Sequence, residues 1–320
     1  MDAIDAFLDA ERTCLLVDTP MPQMRVSVVV PTLNRDQPLC ETIRYFLEKE
    51  SYPALEIIVI DQSDRHDKET VTFFEQRRDR VQYVQVSYKS LPRARNHGVS
   101  LATGDVVLFV DDDVIPDPGF VDAHVSAYVD SRVVGTTGPV RPLDPRQLVS
   151  RSTLGEHEAV SLETQRTMRF DVDFPFPAQW ACGCNSAFRR TSILTAGGYD
   201  ENFYGVSVGE DSEFSHRVKQ LGHIQYVPAA SLVHLQVPSG GCRNARQERE
   251  YVEQLGFCTN YFWSRIGVSR IQRWAQVWRM LRRRILNRNI LTKPDRWALC
   301  VAFARGVNSA TRLVRRNYAD

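Results

Sequence analysis

The stretch DVVLFVDDD, Asp105 to Asp113, runs five apolar residues straight into three consecutive carboxylates. A short apolar run of this kind reads as a buried strand. The acids after it repel, because each carboxylate raises the cost of ionising its neighbour. Such a cluster is either a fully hydrated turn or a site for a cation. The same design occurs twice upstream. RVSVVVPTLNR, Arg25 to Arg35, is a β-branched run stopped by Pro31, and LEIIVIDQSD, Leu55 to Asp64, is an apolar run ending in a polar loop. Between these two, Leu39, Ile43, Phe46 and Leu47 recur at helical spacing, and Val71, Phe73 and Phe74 mark a second helix. Strands alternating with helices predict an α/β protein built on a parallel sheet covered on both faces. Ligands of such sheets bind outside the carboxyl ends of the strands. Thr32 to Arg35, Asp61 to Asp64 and Asp111 to Asp113 are therefore expected to converge on one edge. If the chain stays extended through the triplet, Asp111 and Asp113 face together and Asp112 faces away. Two oxygens on one side suit a hard divalent ion such as Mg²⁺.

Composition bounds the rest. With 320 residues, 43% hydrophobic and 25% charged, the chain is ordinary for a globular protein of one large domain with an appendage, or of two domains. Its net charge of +1 is unevenly spread: from Arg265 onward fourteen Lys or Arg face only Asp295 and Asp320, a net +12, so the remainder carries −11. That asymmetry predicts an anionic partner for the tail. The first residues show no secretory leader pattern, and no apolar run reaches the roughly 20 residues that span a bilayer. A cytoplasmic protein, free or attached to the inner face of the cell membrane, is expected. Seven cysteines at scattered spacings read as reduced thiols. Cys182 and Cys184 lack the C-x-x-C spacing of a metal knuckle, so a structural role is expected for them.

A second acidic pair lies downstream. Phe214, Val218 and Leu221 predict a helix beginning near Asp211, after the flexible Gly205 to Gly209, and this puts Glu210 and Asp211 at its N-terminus. Acids there either cap the helix or, stabilised by its dipole, accept a proton. IQYVPAASLVHL reads as strand, turn and strand with His234 near an end. That histidine is either a satisfied structural residue or a metal ligand.

In this order the segments VSVVVPTLNR, IIVIDQSD, LPRARNHGVSLATGDVVLFVDDD, NSAFRR, GGYDENF, GEDSEFSHRV and LVH resemble a family 2 glycosyltransferase of the GT-A fold, over about Arg25 to Gln236. The resemblance implies a Rossmann-like, mostly parallel sheet with flanking helices over residues 25–236. An N-terminal extension over 1–24 and a basic helical region over 237–320 flank it. It implies a nucleotide-diphosphate sugar donor and Mn²⁺ or Mg²⁺. Pro31, Thr32 and Asn34 would line the nucleotide pocket, Asp61 and Asp64 would approach base or ribose, and Arg95 would contact the nucleotide or brace the acidic motif. Asp111 and Asp112 would lie at the nucleotide, Asp113 would be the principal metal ligand with Asp111, and His234 would complete the metal site. Asp211 resembles the catalytic base, supported by Glu210. Trp180 and Asn185 fall where an acceptor sugar would be met, although a buried aromatic is an equal reading of Trp180. The implied reaction is a single displacement that inverts the anomeric carbon, onto a carbohydrate or lipid-linked acceptor.

The loop Arg141 to Ala178 is expected to select the acceptor. In the tail Ile271, Trp274, Trp278, Leu281 and Ile285 form an apolar stripe among arginines, suited either to an anionic membrane or to packing on the catalytic domain or a second subunit. Nucleic acid is not an expected partner. RIQRW superficially matches an element of processive polysaccharide synthases, but one-at-a-time transfer is expected without an export channel. Two other readings remain, a nucleotidyltransferase and a non-catalytic nucleotide-sugar sensor. The absence of glycine from PTLNRDQP counts against the first, and the Glu210–Asp211 pair counts against the second.

Overall fold

Strand β1 (Val26–Thr32) is buried at each of its seven residues, as a strand covered on both faces must be. It pairs in parallel with β2 (Leu55–Asp61) on one side and β4 (Val106–Val110) on the other, and β2 pairs in parallel with β3 (Val81–Gln85). The computed structural model describes residues 23–144, 146, 172–241, 248–286 and 296–317. Thr32 stands opposite Asp61 in the register, so the loops after β1 and β2 open on the same edge. The helices between these strands are α1 (Gln37–Glu48), α2 (Lys68–Glu75) and α3 (Leu91–Leu101). Proline in the first turn starts α1 and α3, and the Asp67 side chain caps α2 by accepting from the Thr70 N–H at 2.7 Å. Phe73 and Phe74 of α2 are buried as expected, whereas Val71 points to solvent.

Past β4 come β5 (Val114–Pro116), α4 (Phe120–Ser126) with a 3₁₀ turn, β6 (Val133–Thr137), β7 (Val140–Pro142), β8 (Phe176–Ala178), β9 (Asn185–Arg189) and α5 (Arg190–Thr195). Then follow α6 (Glu210–Val218), β10 (His223–Tyr226) and β11 (Leu232–His234). The large sheet runs β3-β2-β1-β4-β9-β6-β10-β8, mostly parallel, with β9 antiparallel between β4 and β6. A small sheet, β5-β11-β7, sits beside it. Its antiparallel β5–β11 pairing sets His234 opposite Val114 and so beside the acidic triplet.

Three helices complete the chain: α7 (Glu248–Arg265), α8 (Arg270–Arg284) and α9 (Arg296–Asn317). Phe257, Tyr261 and Phe262 of α7 pack with Phe203 ahead of α6, which fastens this region to the sheet domain. The apolar stripe read from the tail divides. Ile285 is buried against α9 together with Val277, while Ile271, Trp274 and Trp278 face outward. Among the described residues no helix is long and apolar enough to cross a membrane. Helices α7 and α9 meet backbone to backbone: a Cβ on Gly306 would lie 1.9 Å from the Glu253 carbonyl oxygen, and one on Gly256 would lie 2.3 Å from that of Phe303. Backbone cannot yield as a side chain can, so Gly306→Ala is expected to destabilise the protein by about 1–3 kcal/mol. Chemical denaturation of the purified variant would measure it, and an unchanged midpoint would mean the two helices separate there at no cost.

Candidate functional site

The site begins with a guanidinium. Arg95, on the second turn of α3, is buried with its head against three elements at once. Nη1 donates to Glu210 Oε1 at 2.5 Å, Nη2 donates to the Gly183 carbonyl at 3.1 Å, and Nη2 stands 3.9 Å from Asp111 Oδ1. Arginine stays protonated when buried, so it can hold charges that would otherwise repel. Gly183 explains the spacing of Cys182 and Cys184: a Cβ there would fall 2.4 Å from Arg95 Nη2. The next residue of α3, Asn96, docks the GGYDENF segment by accepting from the Tyr199 N–H at 2.7 Å and donating to the Tyr199 carbonyl at 2.8 Å.

The triplet leaves the strand at Val110 and turns. Asp112 folds back, accepting from Thr32 Oγ1 at 2.5 Å and facing Arg35 Nη1 at 3.1 Å. Asp113 meets Arg35 Nη1 at 2.6 Å and His234 Nε2 at 3.1 Å, and accepts from the Val237 N–H at 2.9 Å. Asp111 stands 3.8 Å from the same histidine nitrogen. Asp111 and Asp113 thus share a side, as strand alternation predicts, although a turn rather than an extended chain brings this about. Burial pushes the Asp112 carboxyl up to about 7, against the opposing pull of Arg35 and Thr32. Burial works the same way on Asp113, but the His234 hydrogen bond and the Arg35 charge outweigh it and hold that carboxyl below the usual range. Arg35, expected from the sequence only to share this edge, is a direct ion-pair partner of the triplet.

Four side chains gather here as possible donors to a divalent ion. Asp111, Cys184 and His234 each present a ligand atom within 4.8 Å of the others, and Asp113 adjoins them through His234. A hydrogen bond with Cys182, reinforced by burial, pushes the Cys184 thiol well up, so it remains a protonated, soft group. The carboxylates and the imidazole are the donors that suit Mn²⁺ or Mg²⁺.

Two clefts flank this core. The first is lined by Pro31, Thr32, Arg35, Gln62, the triplet and His234, and is bordered by Gly205. Gln62, not foreseen, accepts from the Ser90 N–H at 2.6 Å and so ties β2 to the start of α3. The second cleft starts where the first ends, at Val206 to Ser212, and is walled by Phe262 and Trp263 of α7 and Met280 and Arg284 of α8. Asp211 opens into it while accepting from the Gly183 N–H at 3.2 Å. Helix α6 starts at Glu210 behind Gly209, whose φ of 94° lies in the left-handed region. Burial, reinforced by the Asp211 charge and opposed by Arg95, pushes the Glu210 carboxyl up to about 7.

Several expected residues lie elsewhere. Asn185 is fully buried: its amide donates to the Pro139 and Ala230 carbonyls and its oxygen faces His124 Nε2 at 2.9 Å, so it cannot meet an acceptor. Asp61 is fully buried too, bound by the Ser63 N–H at 2.9 Å, His66 Nε2 at 2.7 Å and the Tyr83 hydroxyl. It braces the loop after β2 instead of lining the cleft. Asp64 is an exposed partner of Lys89 at 2.7 Å. Asn34, at a left-handed φ of 53°, contributes its backbone N–H to Ser63 Oγ and lies outside the first cleft. Trp180 packs edge-on against Phe262, at a ring distance of 6.0 Å. Most of the Arg141 to Ala178 loop, 145 and 147–171, lies outside the described residues. The chain past Gln236 still takes part, since the Val237 N–H donates to Asp113 and the Gly241 N–H to the Leu33 carbonyl beside the first cleft.

A Rossmann-like sheet with one acidic cluster beyond a central strand and a second at a helix start is the GT-A architecture. The chain belongs to glycosyl transferase family 2, whose sequence model matches residues 27–195. Hyaluronan synthase of Pasteurella multocida is 23% identical over 243 residues, 67% of this chain and 25% of that protein, so the chain spans a quarter of that relative. Among solved structures, TarS 1–349 of S. aureus in complex with UDP-GlcNAc aligns with a TM-score of 0.61 at 17% identity, over 89% of this chain and 82% of that one. The mannosyltransferase PcManGT of Pyrobaculum calidifontis, in complex with GDP-Man and Mn²⁺, aligns with a TM-score of 0.52 at 18% identity, over 97% of this chain and 82% of that one. These two likenesses establish the fold.

His66 sets a pH dependence. It bridges Asp61, at 2.7 Å from Nε2, and Asp36, at 2.7 Å from Nδ1, and the hydrogen bond with Asp61 and then that with Asp36 raise it to about 9 despite its burial. A folded-state value above the ordinary 6.5 means that the stabilisation is complete below pH 6.5 and is lost as pH rises through 9. Wild type should therefore exceed His66→Gln by roughly 1–3 kcal/mol at the acid end of that window, and the gap should narrow across it. Denaturant titrations at several pH values measure the gap, and one that stays constant would rule out the linkage.

Proposed function

We propose that the chain moves a sugar from a nucleoside-diphosphate sugar to an acceptor hydroxyl, inverting the anomeric carbon. One observation carries the reading: Arg95 ties Glu210 to the Asp111 side of the site at 2.5 and 3.9 Å, setting the two acidic clusters on adjoining clefts. The nucleotide occupies the first cleft, with its base and ribose against Pro31, Thr32 and Gln62 and its diphosphate toward Asp111, Asp113 and Arg35. The sugar then reaches the boundary at Gly205 and Val206, and the acceptor enters the second cleft. Phe262, Trp263 and Met280 offer that acceptor apolar and aromatic faces, and Trp180 supports the wall through Phe262.

Asp111, Asp113 and His234 would hold a divalent cation, which supplies charge neutralisation for a departing diphosphate. The protein's own part is proton and charge management. Asp211, at the N-terminus of α6, accepts the acceptor's proton as the hydroxyl attacks, where the helix dipole favours negative charge. Its contact with the Gly183 N–H orients the carboxylate. Glu210 is committed to Arg95 and acts by position. Arg35 offsets the charge of Asp112 and Asp113 and faces the same cleft as the phosphates would. The fold likenesses to enzymes crystallised with UDP-GlcNAc and with GDP-Man and Mn²⁺ support this donor class and a divalent ion.

The test is nucleotide release from a panel of UDP-, GDP- and dTDP-sugars, with Mn²⁺ or chelator, in the presence of candidate carbohydrate and lipid-linked acceptors. Asp211→Asn should keep donor affinity and lose about 10²–10⁴ in kcat, while Asp113→Asn should lose the ion-dependent part of donor binding itself. Turnover by Asp211→Asn at the wild-type rate would remove the base from the mechanism. Tight donor binding that no ion alters and no acceptor turns over would make the chain a sensor.

A further inference from the structure

The outward side of α8 and α9 has no role in the chemistry proposed above, and it is built unlike the rest of the surface. Five large apolar side chains stand in solvent there: Ile271 is 84% exposed, Trp274 46%, Trp278 57%, Trp297 62% and Val301 50%. Trp274 and Trp278 also border an apolar groove between the two helices that is floored by Val277, Leu281 and Phe303. Isolated exposed apolar residues are ordinary, but a ridge continued over two helices marks an interaction surface. The charges around it are of one sign. Helix α8 has six arginines and α9 five, and neither contains an aspartate or glutamate. Arg270 lies one helical turn before Trp274, and Arg282 one turn after Trp278. Arg279, Arg282 and Arg283 are exposed, as are Arg305, Arg312 and Arg315 on α9.

These observations select among occupants. A second copy meeting this face symmetrically would bring two cationic surfaces together, which costs free energy at short range. A nucleic acid would engage the arginines and leave Ile271 and Val301 in water. An anionic lipid surface satisfies both parts, since tryptophan and aliphatic side chains enter the headgroup boundary while arginines meet lipid phosphates. We infer that the α8–α9 face seats the protein on a membrane bearing anionic lipid. It does so as a peripheral contact, because among the described residues no helix can cross a bilayer. Met280 and Arg284 of α8 wall the Asp211 cleft, so one helix both meets the lipid and borders the place where the proposed acceptor enters.

The experiment is cosedimentation of the full chain with vesicles of phosphatidylcholine alone or mixed with phosphatidylglycerol, together with light scattering for mass and competition by a duplex oligonucleotide. Binding is expected only to the anionic vesicles, weakening with added salt and accompanied by a blue shift of tryptophan fluorescence. Replacing Trp274 and Trp278 by serine should abolish the blue shift and the binding. The triple variant Arg270→Gln, Arg279→Gln, Arg282→Gln should lower vesicle affinity roughly a hundredfold, at about fivefold per arginine. Circular dichroism establishes that both variants remain folded, and donor hydrolysis without vesicles should match wild type, which separates this inference from the catalytic one. Equal binding to neutral vesicles, or no binding to either kind, would overturn it. So would a dimer that the serine variant dissolves, or oligonucleotide binding in place of lipid that depends on the arginines alone.

Discussion

A single buried cation, Arg95, lets this protein keep two acidic clusters side by side. Its guanidinium is spent on Glu210, the Gly183 carbonyl and the approach of Asp111. A buried ion pair of this kind contributes little net stability compared with an apolar substitute, but losing one partner leaves an uncompensated charge at a cost of several kcal/mol. Its value here is positional. The triplet follows β4 and the Glu210–Asp211 pair opens α6, far apart in the chain, and Arg95 of α3 reaches toward both. The glycine between two cysteines follows from the same constraint, because any side chain at 183 would occupy the volume of Nη2.

Other acids near the site are held by dedicated cations. Arg35 serves Asp112 and Asp113, and His66 serves Asp61 and Asp36. The acids before Arg265 are therefore not a diffuse field: the buried ones at the strand ends each have a partner, while Asp111 and Asp211 keep oxygen atoms toward the clefts. Charge is fixed where it shapes backbone and left available where a substrate would arrive. This division follows the general pattern in which environments push neighbouring carboxylates apart in protonation. Burial lifts Asp112 and Glu210 to about 7, and hydrogen bonds keep Asp61 and Asp113 low in spite of burial.

What the sequence made legible was whatever burial dictates locally. The runs Val26–Thr32, Leu55–Asp61 and Val106–Val110 are apolar because each strand is covered on both faces, so period and position alone revealed the sheet and the edge at which its loops gather. The start of α6 was legible for the same local reason. Illegible were features set by tertiary partners. Asp61 and Asp64 look equivalent in IDQSD, yet His66 and Tyr83 draw the first inward and Lys89 meets the second in solvent. Asn185 heads a motif that looks functional, but an antiparallel strand inserted between β4 and β6 places its amide where the Pro139 and Ala230 carbonyls need a donor. The tail stripe has one helical period and two fates. Ile285 turns into α9, and Trp274 and Trp278 do not, a distinction that depends on how the helices cross rather than on spacing.

The boundary drawn at Gln236 separates composition more cleanly than it separates function. Val237 is bonded to Asp113, and Gln254 of α7 receives the Val206 N–H at 3.1 Å across the top of the loop between the two clefts. That loop carries left-handed backbone at Gly205, Ser207 and Gly209. Glycine accepts such a conformation freely, but serine holds it only when its surroundings impose it. Gln254 and the aromatic group Phe203, Phe257 and Tyr261 provide those surroundings from the helical side. The conformation that presents Asp211 is thus set in part by helices lying outside the sheet, and α8, which walls the same cleft, also carries the exposed tryptophans. The same helical unit thus borders the acidic site and bears the exposed tryptophans, while the ends of the sheet strands line the other cleft.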